Sequence, residues 1–170
     1  NKQIASHFEC GGFSLVKVLY GITQSELFYP ADVEATVHKE QVNFCIVGHL
    51  ERKWKGVDTA ISAFRQLPDE IKQKCRLHLI GFVHPTAFCD AYILTYPWHP
   101  YEQMGELLRR MDVMIVPSRD EVIMRETFSQ AAVQGMLTGL PLIVSDLPIL
   151  AEKCDMGGGL VFRDMKELIE

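Results

Sequence analysis

One unit near the end of the chain limits what it can fold into more than any other feature. Val113-Met-Ile-Val116 reads as a buried strand, and a polar loop follows from Pro117. A helix begins near Ser129 and stops at Gly139, just before Pro141, and Leu142-Ile-Val-Ser145 returns as a second strand. Strand, loop, helix and strand make one βαβ unit of a parallel sheet. Such sheets bind ligands at the carboxyl ends of their strands. Glu126 lies at that end, and Gln134 follows eight residues on, inside the helix.

The rest of the chain repeats the rhythm. Gln41–Gly48 is nearly continuous in apolar residues, as expected of a strand covered on both faces. Val57–Leu67 carries Val57, Ala60, Ile61, Phe64 and Leu67 on one helical stripe, and Pro68 opens a further helical turn through Lys74. Arg76–Gly81 and Tyr92–Thr95 read as strands, Pro85–Asp90 as a short helix and Tyr101–Met111 as a helix. Pro148–Lys153 is a short helix, Gly159–Phe162 a strand, and Arg163 starts a last helix cut off at Glu170. Residues 1–40 are the least regular part, with a short strand at Val16–Tyr20, a turn at Gly21 and a polar linker over Asp32–Glu40. About six strands alternating with helices predict an α/β, Rossmann-like, doubly wound parallel sheet.

Composition bounds the function. The 170 residues suit one domain with a real core, and a net charge of −5 argues against a broad nucleic-acid surface. No apolar run is long enough to cross a bilayer, and no leader pattern opens the chain. The five cysteines show no CxxC spacing and the six histidines no spaced set, which points to a reduced, cytoplasmic protein without structural zinc.

Several side chains sit where chemistry is possible. Gly48 ends a strand, and Arg52, Lys53 and Lys55 crowd the following loop; they suit a diphosphate clamp or a plain solvated turn. Thr127, Phe128 and Ser129 stand at a helix start, with Ser129 a candidate N-cap, so that free N–H groups there favour an anion or simply a capped helix. Glu126 would repel an anion, and suits sugar hydroxyls, a developing positive charge or a solvated loop. Gln134 is a semi-buried amide or a contact to a ribose diol. Trp98, with Tyr96, stacks on a base or anchors a loop. Gly157-Gly158-Gly159 lacks the Lys-Ser or Lys-Thr of a phosphate loop, and no GxGxxG or GxSxG is present.

Three stretches together resemble the carboxyl-terminal, nucleotide-sugar-binding domain of GT-B-fold retaining glycosyltransferases, the family 4 group related to glycogen synthases. VGHLERKWKGVDTAISAF (Val47–Phe64) is similar to V-G-R-L-x-x-x-K-G-v-d. PSRDEVIMRETFSQAAVQGMLTGLPLIVSD (Pro117–Asp146) is similar to P-S-…-E-x-F-G-x-x-x-x-E-A-x-A-x-G-x-P-V-I-x-S-D. YGITQSELFYP (Tyr20–Pro30) is similar to n-G-v-D-x-x-x-F-x-P, and LHLIGF and GGGLVF fall in the right order. The resemblance implies one half of a GT-B fold: residues 1–40 as an opening segment and linker from an N-terminal domain, and residues 41–170 as the donor-binding domain.

The resemblance also implies roles. Lys55 or Lys53 would bind the donor diphosphate, Glu126 would contact the transferred sugar as the catalytic carboxylate, and the backbone at Thr127, Phe128 and Ser129 would hold phosphate oxygens. Three positions depart from the motif: His49 stands for its arginine, Ser129 for its glycine and Gln134 for the second acid that grips the ribose. The implied partners are a nucleoside diphosphate sugar and a glycan or lipid-linked acceptor brought by the other domain. No metal or other cofactor is implied, and the full-length protein would be cytoplasmic or peripheral to a membrane. The alternatives are a catalytically degenerate sugar-nucleotide-binding module, motivated by His49 and Gln134, and a flavodoxin-like interaction domain that binds no nucleotide.

Overall fold

The structure, a computed structural model, describes residues 2–12, 17, 23–31, 40–82, 90–121, 126–155 and 157–170. Six strands form one sheet: β1 (Val42–His49), β2 (Cys75–Phe82), β3 (Ile93–Tyr96), β4 (Val113–Val116), β5 (Leu142–Ser145) and β6 (Gly159–Phe162). All pair in parallel, in the order β3-β2-β1-β4-β5-β6. The chain winds outward from β1 through β2 to β3, returns to lay β4 against the other side of β1, and winds outward again. The sheet therefore reverses direction between β1 and β4, and this reversal opens a crevice above their carboxyl ends.

The helices between the strands are α2 (Val57–Gln66), α3 (Asp69–Lys72), α4 (Tyr101–Leu108), α5 (Gln130–Leu137) and α6 (Pro148–Ala151), with α7 (Met165–Ile169) at the end. The expected α/β class and doubly wound parallel sheet are what the structure shows. Alternate strand residues supply two cores, because successive side chains of a strand point to opposite faces. Cys45, Ile80, Met114, Leu142 and Val144 pack on one face with Met104 and Leu108 of α4 and Ala132 of α5. Ile46, Leu77, Leu79 and Ile115 pack on the other with Ala60, Ile61 and Phe64 of α2. Burial pushes the Cys45 thiol well above its ordinary range, as for an inert core cysteine.

Residues before the sheet depart from expectation. A helix, α1, spans Lys2–Cys10 where irregular chain was expected. Its sequence carries no proline or glycine until Gly11-Gly12, and Gly12 closes it at φ +89°. Further on, Phe28 is 1% exposed in the first core and meets Tyr101 edge-on at 5.2 Å. The Leu27 carbonyl runs so close over α4 that a Cβ on Gly105 would stand 1.9 Å from it. This segment is thereby fixed to the domain. The expected strand at Val16–Tyr20, apart from residue 17, the turn at Gly21, the linker over Asp32–Glu40 up to residue 39, and the helix at Pro85–Asp90 up to residue 89 lie outside the described residues.

Candidate functional site

The crevice at the sheet reversal is a cleft of about 560 Å³. Its first wall grows out of β1. After His49 the chain makes a 3-10 turn over Lys53–Lys55, and Gly56 at φ +63° turns it into α2. That glycine lies against the backbone beyond β4: a Cβ there would stand 1.9 Å from the Pro117 carbonyl oxygen. Next to it, the Arg119 N–H donates to the Trp54 carbonyl at 2.7 Å. The Arg119 guanidinium reaches Asp58 at 2.8 Å and also bonds the Thr59 hydroxyl. The loops after β1 and β4 are thus held together, which brings side chains 71 residues apart in sequence into contact.

The contact that results is Lys55 with Glu126. The Lys55 ammonium donates to Glu126 Oε2 at 2.8 Å, with the side chains only 15% and 8% exposed. Two more donors serve the same carboxylate. Ser118 Oγ donates to Oε2 at 3.3 Å, and the Ser129 N–H donates to Oε1 at 3.0 Å. Ser118 is fully buried, and its carbonyl accepts a bond from the Ser145 hydroxyl at the end of β5. A charge taken out of water needs this kind of full pairing.

The second wall is the head of α5. Ser129 is its N-cap, accepting from the Ala132 N–H at 3.4 Å, and it holds a left-handed backbone at φ +59°. Among the described residues it is the one non-glycine residue with positive φ. The glycine that the motif carries at this position answers that backbone requirement. One turn on, Gln134 is 6% exposed and lines the cleft, and its side-chain amide has no partner among the described residues.

The far end of the cleft is aromatic. Trp98 and His99 follow β3, and Trp98 is 54% exposed. Trp98 stacks on Phe82 at 6.0 Å, and Phe82 on His49 at 4.6 Å. His49 Nδ1 lies 3.3 Å from Glu51 Oε1.

Of the residues singled out in the sequence, Gly48, His49, Arg52, Lys55, Trp98, Glu126 and Gln134 meet at this cleft. Lys53 does not line it: the 3-10 turn sends it to solvent two residues before Lys55 turns inward. Thr127, Phe128 and Ser129 do not line it either, and the Ser129 N–H expected to hold a phosphate oxygen is already bonded to Glu126. Phe128 lies instead beneath the Lys153 ammonium, 5.3 Å from its ring centre. Lys153 also donates to the Ile149 carbonyl at 2.8 Å. Burial lowers its pKa, opposed by the charges of Glu152 and Glu126.

Ser118, Ser145, Arg119 and His99 were not singled out, although the Pro-Ser and Ser-Asp pairs of the second motif marked two of them. Among the described residues no group of three or more His, Cys, Asp or Glu side chains is placed to hold a metal ion. No helix among them is long and apolar enough to cross a membrane.

Comparison with known proteins bears on this geometry. Residues 41–170 match the family model described as Glycosyl transferases group 1. The chain is 27% identical over 143 residues to the "uncharacterized 41.2 kDa protein in cps region" of Klebsiella pneumoniae, covering 81% of this chain and 37% of that protein. Anabaena HepE, solved in complex with UDP, superposes with a TM-score of 0.77 at 16% identity, over 99% of this chain and 50% of its own. WaaG, a glycosyltransferase involved in lipopolysaccharide biosynthesis, superposes at 0.65 with 19% identity, over 80% of this chain and 38% of its own. Sucrose-phosphate synthase of Thermosynechococcus elongatus gives 0.67 at 21% identity, over 86% and 40%. These structural likenesses are of fold, and the chain spans half or less of each relative's length.

Proposed function

Because this chain belongs to the glycosyl transferases group 1 family, we propose that it is the donor-binding half of a retaining glycosyltransferase, built to hold a nucleoside diphosphate sugar. The observation that carries this reading is the convergence of Lys55, Glu126, Gln134 and Trp98 on one cleft at the sheet reversal. The four side chains come from four separate segments, and each suits a different part of such a ligand. Lys55, with Arg52 also lining the cleft, meets the diphosphate. The unpartnered Gln134 amide meets the ribose diol, Trp98 offers a face to the base, and Glu126 takes the hydroxyls of the sugar. HepE, whose fold this chain shares, has been solved with UDP-glucose.

In the transfer itself the sugar–phosphate bond breaks through an oxocarbenium-like transition state. Negative charge grows on the leaving diphosphate, and a positioned ammonium such as Lys55 stabilises that charge more than it stabilises the ground state. The acceptor, a glycan or a lipid-linked saccharide, comes from a second domain that closes over the cleft. This chain alone then binds the donor and transfers nothing. A second reading, a sugar-nucleotide-binding module that has lost turnover, is favoured by one observation: His49 and Gln134 replace an arginine and an acid of the motif.

A thermal-shift panel of uridine, guanosine and adenosine diphosphates tests the reading. One of them stabilises the chain, by about 2.7 kcal/mol at a hundredfold excess over its Kd. Gln134→Glu then tightens that nucleotide several-fold, because a charge-assisted bond to a diol is roughly twice as strong as a neutral one. No shift with any of the three, and none with UDP-glucose, would remove the diphosphate site, and an unchanged affinity in Gln134→Glu would remove the ribose role.

A further inference from the structure

The anion seat of the cleft is already taken by one of the protein's own carboxylates. Among the described residues Lys55 is the one ammonium lining the cleft, and its Nζ is bonded to Glu126 Oε2 at 2.8 Å. The N–H at the head of α5, from Ser129, is bonded to Glu126 Oε1 at 3.0 Å. Arg52 lines the cleft too, but it is an exposed residue whose nearest acid, Glu51, stands 3.9 Å away. The charge offered to a ligand near Lys55 is therefore close to zero, not positive.

Resting on the nucleotide-sugar reading above, we infer that Glu126 is a displaceable internal anion that makes the site select sugar nucleotides over bare nucleotides. A phosphate group can accept from Lys55, and from the Ser129 N–H that Glu126 covers and that does not line the cleft, only where the carboxylate has left them. Evicting it is unfavourable, because a carboxylate that is 8% exposed and bonded to three donors loses two of them. A nucleoside diphosphate with no sugar leaves the evicted carboxylate without compensation. A nucleoside diphosphate sugar brings hydroxyl donors into the same cleft, and the freed carboxylate accepts from them.

Two features of the cleft fit this exchange. Gln134, 94% buried by its 6% exposure, lines the same cleft with its amide unpartnered among the described residues, so the cleft has hydrogen-bonding capacity that the fold itself does not use. Ser118 Oγ, at 3.3 Å, is the longest of the three bonds to Glu126 and comes from a fully buried residue anchored through Ser145. It can keep hold of the carboxylate as a pivot while the other two donors pass to the ligand. No covalent step is involved: one anion replaces another on Lys55 and the Ser129 N–H.

Calorimetric titration of this chain with UDP and with UDP-glucose reads the exchange directly. The wild type binds UDP-glucose more tightly than UDP. Glu126→Gln, which keeps the shape and removes the charge, binds UDP about tenfold or more tightly than the wild type does, and its preference for UDP-glucose shrinks. Ser118→Ala, which removes the pivot and leaves the evicted carboxylate without a donor, binds UDP more weakly than the wild type does, and answers the case in which Glu126→Gln does not fold. A wild type that binds both ligands beside a Glu126→Gln that binds UDP no more tightly or, should that variant not fold, a Ser118→Ala that binds UDP no more weakly, would overturn the exchange and leave the nucleotide-sugar site standing. A wild type that binds neither ligand would remove both.

Discussion

Two polar clusters lie on the same sheet, one bordering the cleft and one closed off from it, and they are built to opposite specifications. At the carboxyl ends, Lys55, Glu126 and Gln134 border an open cleft. Asn43 near the start of β1 and Asp112 just before β4 close on His78 in the middle of β2, which reaches the hydroxyl of Tyr96, the last residue of β3. The Asn43 N–H and Nδ2 both donate to Asp112 Oδ2, at 2.8 and 3.2 Å. With its amide nitrogen so engaged, Asn43 turns Oδ1 to His78 Nε2 at 3.0 Å, which fixes the proton there. His78 Nδ1 is then left to accept from the Tyr96 hydroxyl at 3.1 Å. Every side-chain polar group of His78 and Asn43 is used within the cluster. In the cleft, by contrast, Gln134 has capacity to spare, and on the exchange proposed above Lys55 and Glu126 hold partners that a ligand replaces. A buried polar network that is fully satisfied stabilises the fold, and one with spare or exchangeable capacity marks a place to bind.

The contrast predicts that the two clusters fail differently. Asp112→Ala removes the acceptor of two Asn43 donors and lowers stability by about 2 kcal/mol. Nucleotide affinity changes little, because the carboxyl ends of the strands keep their frame. Lys55→Met does the reverse: it weakens a nucleoside diphosphate by about a hundredfold, the worth of one charged partner. Urea unfolding and calorimetry on both variants check the pair. A large loss of affinity in Asp112→Ala would mean that the closed cluster supports the cleft after all.

A smaller effect sharpens the same point through pH. His78 is 6% exposed, and burial lowers its pKa from the ordinary 6.5, with Arg76 adding to the shift and Asp112 opposing it. The unfolded chain then binds a proton at a higher pH than the folded chain does. This contribution to stability is complete above about 6.5 and is lost as pH falls toward the folded value. Urea midpoints at pH 7.5 and 5.5 should differ in that sense. His78→Phe should lower the midpoint at both values, since it leaves Asn43 Oδ1 and the Tyr96 hydroxyl unpaired, but it should shrink the difference between them. An unchanged difference would place the titration elsewhere.

The strands were legible in sequence because burial on both faces leaves near-continuous apolar runs such as Phe44–Val47 and Leu77–Ile80, interrupted only at His78. His78 itself gave no sign of its role, since its partners come from β1, β3 and the turn before β4. The choice between Lys53 and Lys55 was not legible either. It depends on a three-residue 3-10 turn and on Gly56 touching Pro117, neither of which has a signature in local composition. Local sequence puts Glu126 in the loop after β4, but its bonds to Lys55 and Ser118 follow from the winding of the sheet. Helix α1 was missed because Ile4 and Phe8 are its only large apolar residues, too few to give a helical stripe.

The smallest expected effect lies at the junction of fold and cleft. Ser129 holds φ +59°, a conformation that costs a side-chain-bearing residue about 1 kcal/mol relative to glycine. Its hydroxyl returns part of that as the N-cap of α5, yet the bond to the Ala132 N–H is long, 3.4 Å, and replacing a serine cap by glycine costs only a few tenths of a kcal/mol. Ser129→Gly should therefore raise stability by about 0.5 kcal/mol. The bond from its backbone N–H to Glu126 survives the change, so affinity for a nucleoside diphosphate should stay as it was. If the variant were instead less stable, the hydroxyl would be worth more than the strain. A tighter nucleotide in this variant would show that the serine side chain, and not only the Glu126 carboxylate, guards the head of α5.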